Sequence, residues 1–123
     1  MKYLLDTNVL IYFLEEDYSN LSLAQIEIIR NPENKIYVSE ASFYELSIKA
    51  RLQKQLSFTF DVLKLNKYRK IFGFKLLKAK TKDYLGIIDV PKVSLTTNKL
   101  HGDPFDLLII SQALKRKYGC IIF

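Results

Sequence analysis

Short apolar runs alternate with longer amphipathic stretches along the whole chain. The runs are rich in Ile, Leu, Val, Tyr and Phe, a composition typical of buried strands. We predict strands at residues 3–5, 36–38, 74–77 and 121–123. In the stretches between them, apolar positions recur every three or four residues, which predicts helices. The first helix begins at Asp6-Thr7-Asn8, and the others cover residues 22–30, 39–54, 61–71, 82–88 and 103–117.

The ends of several predicted helices carry sequence signals. Ser39 can cap the helix after the second strand, and Asn31-Pro32 ends the helix before it. Gly119 is expected to close the last helix in the left-handed conformation. Strands that alternate with helices indicate an α/β fold of three layers, α/β/α, around a central parallel sheet of four or more strands. In such sheets ligands bind beyond the carboxyl ends of the strands, where we expect the chemistry.

Length and charge narrow the possibilities. The 123 residues contain no repeat, low-complexity tract or linker, so we expect one domain, 1–123. Nineteen basic against thirteen acidic residues give a net charge of +6. That balance suits a polyanionic partner such as nucleic acid, although a plain basic protein explains it equally well.

Cysteine usage and hydropathy exclude several classes of protein. The single cysteine, Cys120, rules out an internal disulfide and is expected to be buried in its apolar run. One Cys and one His cannot form a closed zinc site. Asp6 interrupts the N-terminal apolar run too soon for a signal peptide, and no run is long enough to span a membrane. We therefore expect a cytoplasmic protein without a membrane partner.

Two acidic residues lie at positions where a buried carboxylate would cost free energy. Asp6 directly follows the first predicted strand, either as a functional carboxylate or as the cap of the next helix. Glu45 shares a helix face with Ala41, Ile48 and Leu52. Such a carboxylate needs a cation or a donor, and a salt bridge with Lys49 is the alternative to a functional role.

Two further acids open the last predicted helix. Asp103 can cap it, with Pro104 in the first helical position. Asp106 projects on the arc of Ile109, Ile110 and Ala113, which is expected to pack on the sheet. An acid at the end of that apolar stripe is better explained as a ligand than as a cap.

Topology brings the four acids to one place. The last helix leads into the fourth strand, so its N-terminus lies at the carboxyl edge of the sheet, where Asp6 and the helix of Glu45 also begin. Carboxylates gathered without a counter-ion repel one another strongly. A hard divalent cation removes that repulsion, and Mg²⁺ or Mn²⁺ suits a site of carboxylates, water and phosphate oxygens.

Three segments resemble the motifs of the PIN domain family. LLDTNVL at residues 4–10 looks like the opening motif, and VSEASFYEL at 38–46 followed by IKARL at 48–52 resembles the second. HGDPFDLLIISQA at 101–113 resembles the third motif, in the VapC-like subgroup. The motifs lie in the order of the family and span the whole chain.

The resemblance implies a PIN fold with strand order 3-2-1-4 and a ribonuclease that depends on Mg²⁺ or Mn²⁺. By position, the catalytic and metal-binding roles fall on Asp6, Glu45 and Asp106, with Asp103 as an outer ligand. The VapC-like subgroup further implies the toxin of a toxin–antitoxin pair, with an RNA substrate and a cognate antitoxin protein.

The chain departs from the subgroup's pattern at four places. Gly102 and Leu107 stand where basic residues are common, and Tyr44 replaces a frequent tryptophan. The family usually places another acid after the fourth strand, whereas this sequence ends at Phe123 within the predicted strand. We therefore interpret the C-terminal end as a candidate truncation.

Other roles stay open from the sequence. His101 could act as a general base, but a single histidine beside a turn is more often structural. The alternatives to a toxin are a PIN nuclease of RNA processing or DNA cleavage, and a non-catalytic module that binds RNA or protein. The aromatic residues of the early helices exceed the needs of one small core, which together with the resemblance predicts a homodimer. They are Tyr12, Phe13, Phe43 and Tyr44.

Overall fold

The computed structural model of the chain describes residues 1–52, 58–92 and 103–121. The strands are β1 Lys2–Leu5, β2 Lys35–Ser39, β3 Lys75–Leu77 and β4 Gly119–Ile121. The α-helices are α1 Thr7–Leu14, α2 Leu23–Arg30, α3 Glu40–Leu52, α4 Leu65–Phe72, α5 Thr81–Leu85 and α6 Pro104–Arg116. Short 3-10 helices cover Tyr18–Asn20, Val62–Lys64 and Gly86–Asp89.

The strands form a parallel sheet in the order β3-β2-β1-β4. This is the strand order 3-2-1-4 that the sequence motifs imply. Leu5 pairs with Val38 of β2 and with Ile121 of β4. Because β1 and β2 end almost level with each other, the residues that follow them, Asp6 and Glu40, lie at the same edge of the sheet.

Helices cover both faces of this sheet because successive strand residues point to opposite sides. Leu5, Val38 and Ile36 belong to a core cluster with residues of α1, α2 and α4. Leu4 belongs to a second cluster, with Ala41 of α3 and with residues of α6. The prediction of an α/β fold with helices on both sides is therefore confirmed.

Local signals place most helix starts. Ser39 ends β2, and its Oγ accepts a hydrogen bond of 3.0 Å from the Ala41 N–H, so it caps α3 as expected. Ser22 and Gln25 form a reciprocal capping box at the start of α2. The predicted helices 61–71 and 82–88 each combine a 3-10 turn with an α-helix. Within the described ranges, no helix has the length and apolar character that a membrane crossing needs.

The end of the last helix differs from the prediction. Lys117, not Gly119, adopts the left-handed conformation there, with φ 56°, and its N–H donates to the Ala113 and Leu114 carbonyls. Gly119 is the first residue of β4, where an added Cβ would lie 2.5 Å from the Tyr3 ring. The glycine is thus required by a close approach between β4 and β1. The predicted strand residues 122–123 lie outside the described residues, and of Cys120 only the backbone, in β4, is described.

A buried ion pair fixes α5 on α6. Asp83 is fully buried, and both of its carboxylate oxygens accept hydrogen bonds from the Arg116 guanidinium, at 2.6 and 2.9 Å. The Ser111 hydroxyl also donates to the Asp83 carbonyl. Burial opposes ionisation of Asp83, but the hydrogen bonds from Arg116 and the Lys80 backbone hold its pKa below the usual value.

Candidate active site

Asp6 lies at the junction of β1 and α1 and is 7% exposed. The Val9 N–H donates a hydrogen bond of 2.8 Å to its Oδ1, so Asp6 is the N-cap of α1. The capping role considered from the sequence is therefore confirmed. The hydrogen bond from the Val9 N–H fixes the carboxylate at the carboxyl edge of the sheet.

Glu45 lies on the second turn of α3 and is 8% exposed. Its Oε2 lies 3.3 Å from the ammonium of Lys49, one turn further along the helix, which confirms the predicted salt bridge. Its Oε1 is buried and has no hydrogen-bond partner in the described residues. A buried carboxylate oxygen without a donor costs free energy, so the Lys49 pair alone does not account for this side chain.

Asp103 and Asp106 both belong to the start of α6. Asp103 is exposed, and its Oδ1 accepts from the N–H groups of Phe105 and Asp106, at 2.9 and 3.1 Å. Asp103 is thus the N-cap of α6, with Pro104 in the first turn as predicted. Asp106 is partly buried one turn further on, and Ile109 and Ala113, which follow it on the same arc, are buried in the core.

The pKa of Asp106 is raised by burial and by the other three acids. Burial is the largest cause of a rise in this pKa from 3.8 to about 6. The negative charges of Asp103, Asp6 and Glu45 add to the rise, in that order, and Lys49 opposes it. The fold therefore brings Asp103, Asp6 and Glu45 within electrostatic reach of Asp106 at the carboxyl edge of the sheet. The start of α6 beside them also offers a positive dipole end to a negative group.

The four carboxylates do not form a complete metal-binding site as they are placed in this structure. Within residues 1–52, 58–92 and 103–121, no three acidic, histidine or cysteine side chains are grouped closely enough to hold a metal ion as they are placed. Asp6 and Asp103 are turned to the backbone of the helices they cap, and Glu45 is turned to Lys49. His101, the possible general base, and Gly102 lie outside the described residues.

Two buried hydrogen bonds between polar side chains, which the sequence did not reveal, connect the elements that carry the acids. The hydroxyls of Thr7 and Ser42 lie 2.9 Å apart and join the start of α1 to α3. The Ser39 hydroxyl donates to Oε1 of Gln112 and joins the end of β2 to α6. Gln112 is fully buried within an apolar helix face, a pattern that could have marked it from the sequence.

The predicted aromatic surface is largely used by the chain's own core. Phe13 is buried, and Tyr12 and Phe43 are partly buried against the same cluster. Tyr44 remains 65% exposed, and its ring meets that of Phe105 edge to face, with the centroids 5.5 Å apart. The core between α1, α3 and the sheet therefore takes up Phe13 and part of Tyr12 and Phe43, and Tyr44 is the most exposed of the four.

Comparison with known proteins identifies the fold. The model of the PIN domain family matches residues 3–123. The crystal structure of VapBC2 from Rickettsia felis, bound to a DNA fragment from its promoter, is similar with a TM-score of 0.62 and 21% identity, over 99% of this chain and 86% of that chain. The structure of VapBC-1 from nontypeable Haemophilus influenzae is similar with a TM-score of 0.57 and 21% identity, over the same shares of the two chains. No curated protein matches the sequence.

Proposed function

The chain belongs to the PIN domain family, and we therefore propose that it is a divalent-metal-dependent endoribonuclease that hydrolyses RNA phosphodiester bonds. PIN nucleases are hydrolases that act on nucleic acids, and they generally use divalent metal ions. The observation that carries the proposal is the charge coupling of Asp103, Asp6 and Glu45 to Asp106 at the carboxyl edge of the sheet.

Asp6, Glu45 and Asp106 would hold the cation, with Asp103 as an outer ligand. Two features of these residues fit a cation. The buried Oε1 of Glu45 lacks a donor among the described residues, and the charged carboxylate of Asp106 is destabilised by burial and by its acidic neighbours. Mg²⁺ or Mn²⁺ binds through a few carboxylates and completes its shell with water and phosphate oxygens, which matches this donor set.

When bound, the cation would lower the pKa of a water molecule and neutralise charge on the attacked phosphate. The chain's own part is to hold the carboxylates in place. Asp6 and Asp103 are fixed by the helix starts that they cap, and the Thr7–Ser42 hydrogen bond keeps α1 beside α3. Below about pH 6 Asp106 holds a proton that competes with the cation, so cation affinity should fall as the pH is lowered.

Cleavage of a labelled RNA by the purified chain tests this function. We expect cleavage with Mg²⁺ or Mn²⁺ and none in excess EDTA. Asp6→Asn and Glu45→Gln should each reduce the rate by roughly two orders of magnitude or more, as expected for an electrostatic contact made in the transition state. Asn is as good an N-cap as Asp, so Asp6→Asn removes the charge and keeps the start of α1.

Glu27→Gln is the matched control, because Glu27 is an exposed acid on α2, a helix that carries none of the four acids. It should leave the cleavage rate unchanged. Cleavage that survives EDTA, or that Asp6→Asn and Glu45→Gln leave intact, would refute the assignment of the site. Cleavage of DNA in preference to RNA would refute the substrate class.

We further propose that the chain is the toxin of a toxin–antitoxin pair and binds a small antitoxin protein. The likeness of its fold to the two VapBC structures supports this proposal. An uncovered carboxylate group attracts Arg or Lys, so the antitoxin is expected to place a basic side chain near Asp106. Expression of the chain should arrest bacterial growth, Asp6→Asn should not, and co-expression of the small protein encoded beside it should restore growth. Normal growth on expression of active nuclease would contradict the toxin role.

We also propose a homodimer that uses the exposed apolar residues on the later turns of α3. Ile48 is 36% exposed and Leu52 is 54% exposed, and the two lie one turn apart on the same face. Apolar side chains aligned in this way favour burial against another protein surface.

A further inference from the structure

A small cavity opens between α3 and α5, next to the acidic residues. Its volume is about 260 Å³, and its walls are formed by Glu40, Ala41, Tyr44, Tyr84 and Leu108. Tyr44 is 65% exposed and Tyr84 is 54% exposed, so two aromatic rings at this cavity are available to a ligand. A cavity of this size lies below the range of drug-sized ligands, about 300–1,000 Å³, and suits one planar ring system.

The cavity adjoins the site of the proposed cation. Tyr44 directly precedes Glu45 on α3, and its ring contacts that of Phe105, which directly precedes Asp106 on α6. A group seated against Tyr44 therefore lies next to the elements that carry two of the proposed ligands.

Three lysines follow the edge strand β3 along the chain. Lys78, Lys80 and Lys82 are exposed and lie in the connection from β3 into α5. The connection is tied to α3, because the Ala79 N–H donates a hydrogen bond of 2.6 Å to Oε1 of Glu40, which lines the cavity. The connection that carries these lysines is thus joined to a residue that lines the aromatic cavity.

We infer that this cavity binds one nucleobase of an RNA strand against the rings of Tyr44 and Tyr84, while Lys78, Lys80 and Lys82 bind the neighbouring backbone phosphates. The inference rests on the proposed ribonuclease function and names a substrate-binding subsite for it. Aromatic rings beside a basic track are how proteins hold single-stranded nucleic acid, because every base has a face that can stack.

Charge favours an RNA strand over a second copy of this chain as the occupant. A two-fold contact through this cavity would bring the same lysines of two copies together, and each copy carries a net charge of +6. A polyanion is attracted by the same lysines. Ile48 and Leu52, the proposed dimer residues, lie on later turns of α3 and do not line the cavity.

The first test measures RNA affinity when one side chain of the protein and one base of the RNA are removed, separately and together. Affinity is measured by fluorescence anisotropy in EDTA, so that no cleavage occurs, with single-stranded RNA oligonucleotides that carry one abasic position at each place in turn. Tyr84→Ala should weaken binding of the intact RNA roughly 5- to 150-fold, the range of one base–aromatic stack. At one position along the RNA, removal of the base should weaken binding to the wild type by a similar factor and should weaken binding to Tyr84→Ala only slightly.

Tyr84 is chosen over Tyr44 because the Tyr44 ring supports Phe105 next to the proposed ligand Asp106. The matched control is Leu63→Ala, which removes a side chain that is 93% exposed and does not line this cavity. Leu63→Ala should leave the affinity for RNA unchanged. Each variant's molar mass and thermal unfolding are recorded, so that a change of assembly or of folding is seen directly.

The second test concerns the lysines. The variant with Lys78, Lys80 and Lys82 all changed to Ala should lower the salt dependence of RNA binding by about two units, at roughly 0.7 unit for each phosphate contact. The control changes Lys64, Lys67 and Lys70 to Ala. These exposed lysines lie on or next to α4, which packs on the opposite face of the sheet. This control variant removes the same charge and should change the salt dependence of RNA binding much less.

The outcomes separate this inference from the proposed function. If metal-dependent cleavage occurs but Tyr84→Ala weakens intact and abasic RNA alike, the subsite is wrong and the nuclease stands. If the binding cycle and the salt slope behave as stated but no metal supports cleavage, the subsite stands and the nuclease is wrong. Equal slopes for the two lysine variants, no RNA binding by the wild type, or a change of molar mass by Tyr84→Ala without a change in affinity would each overturn the inference.

Discussion

At the scale of single residues, a structural role and a functional role coincide in the same side chains. Asp6 and Asp103 cap helices, and Glu45 pairs with Lys49, as an ordinary explanation of each residue would have it. For Glu45 this explanation is incomplete, because the Lys49 pair leaves its Oε1 buried without a donor among the described residues. The two caps hold Asp6 and Asp103 where their charges act on Asp106.

Asp106 should destabilise the metal-free protein at neutral pH. Its pKa in the folded chain is about 6 against the usual 3.8, so folding is penalised once the carboxylate is charged. The penalty is absent below pH 3.8, grows as the pH rises towards 6, and is complete above it. In EDTA at pH 7.5, Asp106→Asn should therefore raise the free energy of unfolding by about 1–2 kcal/mol. The gain is smaller than the full pKa shift alone would give, because the substitution also removes the attraction between the Asp106 carboxylate and the helix dipole.

Urea unfolding of wild type and Asp106→Asn at pH 7.5 and below pH 4 measures this difference, which should vanish in acid. Mg²⁺ should raise the melting temperature of the wild type, because it binds only the folded state, and should do little for Asp106→Asn. Asp89→Asn, at an exposed carboxylate, is the control and should show neither effect. A less stable Asp106→Asn at pH 7.5 would mean that the residue supports the fold and is not strained by its neighbours.

At the scale of elements, α6 connects the parts of the site. It begins with Asp103 and Asp106, receives the Ser39 hydrogen bond in its middle at Gln112, and anchors α5 through Arg116 near its end. Because α5 carries Tyr84 and follows the lysine connection, the Arg116–Asp83 pair also sets the wall of the cavity. The proposed cation site and the proposed base site are therefore built on one helix.

Arg116→Met should destabilise the protein by about 3 kcal/mol, because it leaves the fully buried Asp83 charged and unpaired. The pKa of Asp83 is held below its usual value. The pair's contribution is therefore present above that usual value and is lost as the pH falls through the lower, folded value. Chemical denaturation at pH 7 measures the loss.

Lys115→Met provides the comparison, since Lys115 and Asp89 form an exposed pair at 3.8 Å. Its removal should change the stability by no more than about 0.5 kcal/mol. Adding Asp83→Asn to Arg116→Met should recover part of the lost stability, because it removes the unpaired charge. Equal effects of Arg116→Met and Lys115→Met would show that the buried pair contributes nothing special.

At the scale of the whole molecule, the sheet divides the apolar interior into two clusters and leaves apolar surface on α3. We expect Ile48 and Leu52 to meet their counterparts in a second copy. The double variant Ile48→Glu, Leu52→Glu should be monomeric at a concentration where the wild type sediments as a dimer. The reason is charge repulsion between the introduced glutamates, because a two-fold contact contains each substitution in both copies.

Leu63→Glu is the control for dimerisation, because Leu63 is more exposed than either residue and lies outside α3. It should sediment as the wild type does. A wild type that stays monomeric at high micromolar concentration by sedimentation velocity or light scattering would remove the proposed dimer.

The order of elements and the place of the four acids were predictable from the sequence. Apolar periodicity is a local property, so it located β1, β2, β3 and most of the helices, while the residues at helix starts predicted Ser39 and Asp103 as caps. The rule that parallel strands present their carboxyl ends at one edge then predicted that Asp6, Glu45 and Asp106 would meet. No contact had to be known for that step, because chain direction alone determines the edge.

Only the tertiary structure decided which atoms face one another. The Thr7–Ser42, Asp83–Arg116 and Ser39–Gln112 hydrogen bonds join residues 35, 33 and 73 positions apart, which no local pattern specifies. The same holds for Gly119, which is small because the Tyr3 ring lies against it, and for the cavity that Tyr44 and Tyr84 share. Periodicity determines which face of an element is buried, whereas the partner on that face depends on how elements distant in sequence pack together, and packing is decided by the whole chain at once.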